Sequence, residues 1–104
     1  MRLSITLESF TEADWQAIFG AYVKAHGSHW TGAPFAMVKK QLEEKSFYEF
    51  GFNSMGTWTS KFRLDVQEGT LNAIFVKNPE LKGRMKEHLE KMEQIFEEHL
   101  SPYA

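Results

Sequence analysis

The stretch from residue 57 to residue 77 constrains the fold more than any other, because its side chains alternate. Trp58, Phe62, Leu64 and Val66 share one parity, while Thr57, Thr59, Lys61, Arg63, Asp65 and Gln67 share the other. A repeat of two is the pattern of a strand with one buried face. Glu68-Gly69 follows as a two-residue turn, where glycine takes positive φ without steric cost. Such a turn pairs Gln67 with Thr70. It sets Val66 beside Leu71, Leu64 beside Ala73 and Phe62 beside Phe75 on an inner face. Asp65 beside Asn72, Arg63 beside Ile74 and Lys61 beside Val76 make the outer face. A slip of one residue would drive Lys61 and Arg63 into the core, so the register is well specified. The ridge expected to be shielded from water runs from Trp58 to Val66.

The flanking segments read as elements that cover this hairpin. Leu3, Ile5 and Leu7 alternate with Arg2, Ser4 and Thr6, which predicts a first strand over about residues 2–8. Thr11 with Asp14 three residues on, or Ser9 with Glu12, forms a helix start. Trp15, Ile18, Phe19, Tyr22 and Val23 recur at helical spacing, and Gly27 ends that helix near Ala25. Pro34 fits a first helical position, and Phe35, Val38 and Leu42 give a stripe for a second helix over 34–45. Tyr48, Phe50 and Phe52 share a parity, which predicts a strand over 47–52 and then a turn at Asn53-Ser54-Met55-Gly56. Asn78-Pro79-Glu80 has the chemistry of a cap, a first-turn proline and a dipole-matched acid. A third helix is therefore expected over 79–100, with Met85, Leu89, Met92, Phe96 and Leu100 as its main stripe. The order β-α-α-β-β-β-α implies an α+β two-layer domain. Its mainly antiparallel sheet packs on helices, the last of them long, and residues 1–104 form one domain.

Composition limits the chemistry. A chain of 104 residues, 42% hydrophobic, can bury a core without covalent staples. Cysteine is absent, which excludes disulfides, thiolate chemistry and cysteine zinc sites, and fits a reducing cytoplasm. A net charge of -2 argues against dominant nucleic-acid binding. No apolar run approaches the ~20 residues of a membrane-spanning helix, and the N-terminus is too short and alternating for a signal peptide. No nucleophile elbow, phosphate loop or HExxH motif is present, so no catalytic residue, cofactor or metal is assigned.

Two surfaces are candidates for partner binding. On the outer hairpin face, Lys61 and Arg63 sit beside Ile74 and Val76, a mixed patch suited to a protein, in particular an acidic one. Near the end of the last helix, Glu93 and Glu97 place negative charge where the dipole disfavours it, a local cost that can mark a functional surface. A third candidate is the loop His26-Gly27-Ser28-His29-Trp30-Thr31-Gly32, from which His29 and Trp30 could join Trp15 and Tyr22 around a small ligand. Residues 58–100 resemble the strand–turn–strand–helix end of the flagellar hook-length control C-terminal domain. Phe52-Asn53-Ser54-Met55-Gly56 stands where that family's Leu-x-Pro-x-x-Leu-Gly is expected, and no function is carried over.

The expectation from sequence is a non-catalytic protein-binding domain: a small cytoplasmic regulator, inhibitor or adaptor, of phage or mobile-element type, with a homodimer as one form of the contact. The alternative is a metabolite- or nucleotide-binding protein with an aromatic pocket near Trp30, and a third reading is a hydrolase or isomerase using His29.

Overall fold

The computed structural model describes residues 1–27 and 32–104. Its elements are β1 (Arg2–Thr6), α1 (Glu12–His26), α2 (Phe35–Lys45), β2 (Phe47–Ser54), β3 (Thr57–Gln67), β4 (Thr70–Lys77) and α3 (Arg84–Leu100), closed by a 3-10 turn at Ser101–Tyr103. The strands form one antiparallel sheet in the order β1-β4-β3-β2. The helices cover one face of it, with α1 and α3 packed on each other and α2 against β2 and β3. This is the α+β architecture and element order expected from the alternation pattern.

The β3–β4 register is the expected one at every position from Lys61↔Val76 to Gln67↔Thr70. Glu68 (φ 52°) and Gly69 (φ 77°) both adopt the left-handed conformation of the tight hairpin turn. Phe62, Leu64, Leu71, Ala73 and Phe75 are buried against the helices. Tyr22 of α1 sits at the centre of that core, its ring 5.1–5.5 Å from those of Phe52, Phe62 and Phe75 and 6.0 Å from that of Phe96.

Trp58 departs from the expected ridge. The β2–β3 register shifts there: Phe52 opposes Ser60 but Asn53 opposes Trp58, so Thr59 is the extra residue of a bulge. The bulge inverts the parity. Thr59 turns inward and its hydroxyl donates to the Phe52 carbonyl at 3.3 Å. Trp58 joins the outer side, half-buried, with the Lys61 ammonium 4.5 Å from its ring centre. At the other end of the ridge Val66 is only half-buried, beside the turn.

Helix starts follow local chemistry at α1 and tertiary demand elsewhere. At α1, Thr11 and Asp14 form the expected reciprocal capping box, and Gly27 (φ 66°) closes the other end. At α2, Pro34 is the cap rather than the first helical residue, its carbonyl accepting from the Met37 and Val38 amides. The largest revision is at α3, which begins at Arg84 instead of Pro79. Asn78 does not cap a helix. It is buried; its amide N–H donates to the Thr59 carbonyl, its Nδ2 donates to the Trp58 carbonyl at 2.7 Å, and its Oδ1 accepts from the Glu80 amide. Asn78 therefore ties the end of β4 to the bulge. Gly83, at φ 66° and ψ −134°, takes a conformation that side chains disfavour and re-aims the chain into the helix. The helix has 17 residues, about 25 Å at 1.5 Å per residue, rather than the expected ~33 Å. Leu89, Met92, Phe96 and Leu100 form its buried stripe, while Met85 lies in the first turn and is 39% exposed. β1 is also shorter than expected and ends at Thr6. Among the described residues no helix is long and apolar enough to cross a membrane.

Because Phe62 is fully buried and touches the rings of Trp15, Phe19, Tyr22 and Phe96, Phe62→Ala should cost about 3–5 kcal/mol. Urea denaturation should show this as a lowered midpoint with an unchanged slope.

Candidate functional site

Each strand places one alternating set of side chains on the face that no described helix covers. Ile74 and Val76 of β4 lie opposite Arg63 and Lys61 of β3, and Glu49 and Gly51 of β2 continue the same rows. This brings Lys61, Arg63, Ile74 and Val76 together as expected, all half-buried. The cations are not free. Glu49 reaches Lys61 with one oxygen (3.4 Å) and Arg63 with the other (3.2 Å), and Asp65 accepts from the Arg63 Nε at 2.8 Å. Burial alone would lower the Arg63 pKa, but the bonds to Asp65 and Glu49 outweigh it and raise the value. Aromatic rings close the row at both ends: Phe47 lies 4.3 Å from the Arg63 guanidinium carbon and Trp58 4.5 Å from the Lys61 nitrogen. The patch is thus two cations, two carboxylates, two aromatic rings and two β-branched residues, with no net charge. A shallow concavity of about 470 Å³ opens beside it between Phe47, Arg63, Asp65, Asn72 and Ile74.

Glu93 and Glu97 belong to the other layer. Glu93 is bound to Lys77 at 3.0 Å and fastens α3 to the end of β4, which gives its charge a structural role. Glu97 is exposed on α3. The six residues expected to bind a partner therefore divide into two groups on opposite sides of the sheet.

The aromatic-pocket expectation is also divided. His29 and Trp30 lie outside the described residues. Trp15 and Tyr22 are buried core residues and do not share a cavity. Trp15 donates its indole N–H to the Ala33 carbonyl (3.1 Å) and lines a groove of about 340 Å³ with Phe19, Val23, Ala33 and Phe35. A Cβ on Gly32 would stand 3.0 Å from the Trp15 ring and 3.1 Å from Phe19, so any larger residue would make these rings give by a few tenths of an ångström.

Tyr22 points the other way, into a buried polar relay. Its hydroxyl lies 3.0 Å from Ser60 Oγ, which lies 3.1 Å from His26 Nε2. If Tyr22 donates to Ser60, and Ser60 to His26, each hydroxyl proton has an acceptor; the proton of the imidazole then sits on Nδ1. The His26 ring stacks on Phe52 at 3.9 Å with the planes 11° apart. Burial, and secondarily the charge of His88, lowers the His26 pKa from 6.5 to about 4. Burial likewise raises the Tyr22 pKa, against a smaller opposing effect of the Ser60 bond. Ser60 has 0% exposure, so its hydroxyl is shut off from solvent, while the half-buried His26 ring lines a cleft against α3. Among the described residues no group of three or more His, Cys, Asp or Glu could hold a metal ion.

Sequence reasoning missed Phe47, Glu49 and Ser60. The signal for the first two is the β2–β3 register, which aligns Phe47 with Asp65 and Glu49 with Arg63. The signal for Ser60 is a hydroxyl at an inner position of a strand, which must find a buried partner.

The relay makes two expected outcomes. His26 has a folded pKa below its unfolded value, so its contribution to stability is complete above about pH 6.5. It falls away between pH 6.5 and about 4, as the unfolded chain takes up a proton that the folded chain refuses. Chemical denaturation across that range should give a steeper loss for the native protein than for His26→Gln. Ser60→Ala, which leaves the Tyr22 hydroxyl buried without its partner, should cost about 1–3 kcal/mol at pH 7 by the same assay.

Comparison with known proteins returns nothing: no family model, no curated protein and no solved structure matches the chain, and the likeness of residues 58–100 to the flagellar hook-length control domain gains no support.

Proposed function

We propose that the protein is a non-catalytic binding domain, a small regulator, inhibitor or adaptor that engages another protein through the outer face of its sheet. The carrying observation is the uncovered row from Phe47 through Arg63 and Lys61 to Trp58, backed by Ile74 and Val76. Aromatic residues and arginine are the types that dominate binding energy in interfaces, and they are here pre-ordered by Glu49 and Asp65. The internal pairing revises the expected acidic partner. With its cations neutralised in place, the face favours a partner of mixed polarity that leaves the ion pairs hydrated or hydrogen-bonded, since stripping them of water is costly. A second copy of the chain is one such partner, and would pair the same patch about a two-fold axis.

The groove beside Trp15 supports a second reading, binding of a small apolar or aromatic molecule against Trp15, Phe19 and Phe35. Thermal-shift screening separates the two: a saturable rise in Tm lost on Phe35→Ala favours the groove.

For the protein-binding reading, Lys61→Glu combined with Arg63→Glu, and separately Val76→Arg, should abolish capture of the partner. By thermal melt each variant should remain cooperatively folded, the double variant at a lower temperature because it sets two new carboxylates beside Glu49 and Asp65. A photo-crosslinker at position 76 should trap the partner and one at Lys24, on the helical layer, should not. Undiminished capture by all of these variants would reject the outer face as the binding surface.

A further inference from the structure

The β2–β3 hairpin and α3 enclose a cleft of about 210 Å³ whose donors differ from those of the rest of the surface. Its lining includes His26, Asn53, Thr59, Met85, His88 and Met92. Two imidazoles and two thioethers therefore meet in one small space, and no carboxylate, lysine or arginine lines it. Three of the donors come from one helix. Met85, His88 and Met92 are spaced i, i+3 and i+7, which holds them within an arc of roughly 60° at 3.6 residues per turn. His88 is one turn from each methionine. The fourth donor enters from α1, where His26 lines the same cleft as His88. Met92 is buried at the floor and Met85 is exposed at the mouth.

The donor set selects the chemistry. Thioether sulfur is soft and uncharged, and prefers copper(I) to the harder divalent ions, which seek carboxylate and other oxygen ligands. Neutral donors alone also suit a monovalent ion better than a divalent one. The surroundings of His26 fit the role. Its Nε2 is held by Ser60 and, through it, by Tyr22, the kind of outer hydrogen bond that orients a metal-binding imidazole. Its other nitrogen has no hydrogen-bond partner among the described residues. Ligation there would require the imidazole proton to move to Nε2 and the Ser60 hydroxyl to turn.

We propose that this cleft binds a soft monovalent cation, copper(I) or silver(I), through the thioethers of Met85 and Met92 and the imidazole of His88, with His26 completing the set. The site lies on the helical side of the sheet and is independent of the outer-face interface.

The probe is silver(I) in chloride-free buffer, repeated with copper(I) kept reduced by ascorbate. Calorimetry should show saturable one-to-one binding, the melting temperature should rise, and the methyl signals of Met85 and Met92 should shift in NMR spectra. Zinc(II) and magnesium(II) should produce none of these. Replacing Met85 and Met92 together by leucine keeps side-chain volume and should weaken silver(I) binding at least about tenfold. His88→Gln, at an exposed position, should do the same with an unchanged melt of the metal-free protein, and it serves alone if the double variant folds poorly. Absence of saturable binding, equal affinity in His88→Gln, or shifts confined to Met1, Met37 and Met55 would overturn the assignment.

Discussion

The pairing of Gln67 with Thr70 across a two-residue turn is the constraint on which the remaining structure rests. Once it is set, Phe62 and Phe75 face the same side and form the floor on which Tyr22 and Phe96 meet. Slipping β3 by one residue would replace Phe62 and Leu64 on that floor by Lys61 and Arg63, and set cations under α1. The turn itself uses a non-glycine residue, Glu68, in the left-handed region, a small strain that the two long strands hold in place.

A second requirement is the satisfaction of polar groups at the end of that floor. The ridge of β3 is interrupted by Ser60, and the bulge at Thr59 follows directly. Ser60 is completed by Tyr22 and His26 from α1, and the carbonyls of Trp58 and Thr59 are completed by Asn78. Buried polar atoms in this protein are thus matched between elements distant in sequence, which makes the relative position of α1, β3 and the end of β4 specific as well as stable. The same bulge moves Trp58 to the outer face, so a device that closes the core also supplies an aromatic end to the candidate interface.

The outer face illustrates how pairing alters what a charged residue can do. Lys61 and Arg63 alone would form a basic patch. With Glu49 and Asp65 in the adjacent positions they become a neutral, ordered platform whose selectivity comes from shape and hydrogen-bond geometry instead of net attraction. Glu93 follows the same logic on the helical layer. Its charge, set against the dipole, is held by Lys77 and fastens α3 to the end of β4, while Glu97 stays exposed.

Element types, their order, the β3–β4 register and the α1 capping box were legible because each depends on neighbours a few residues apart: a period of two, a turn dipeptide, a hydroxyl three residues before an acid. The partner of a side chain on another strand or helix was not. Asn78-Pro79-Glu80 has every local mark of a helix start, yet Asn78 is claimed by the bulge carbonyls and Gly83 begins the turn into α3. Tyr22 carries the pattern of a pocket residue, yet its hydroxyl is spent on Ser60. The chain's own pattern determined which faces are apolar and how the central hairpin pairs. Tertiary structure decided where the last helix begins, which way Trp58 points and which charges remain available, because those outcomes depend on hydrogen bonds and ion pairs between residues brought together only when the sheet closes.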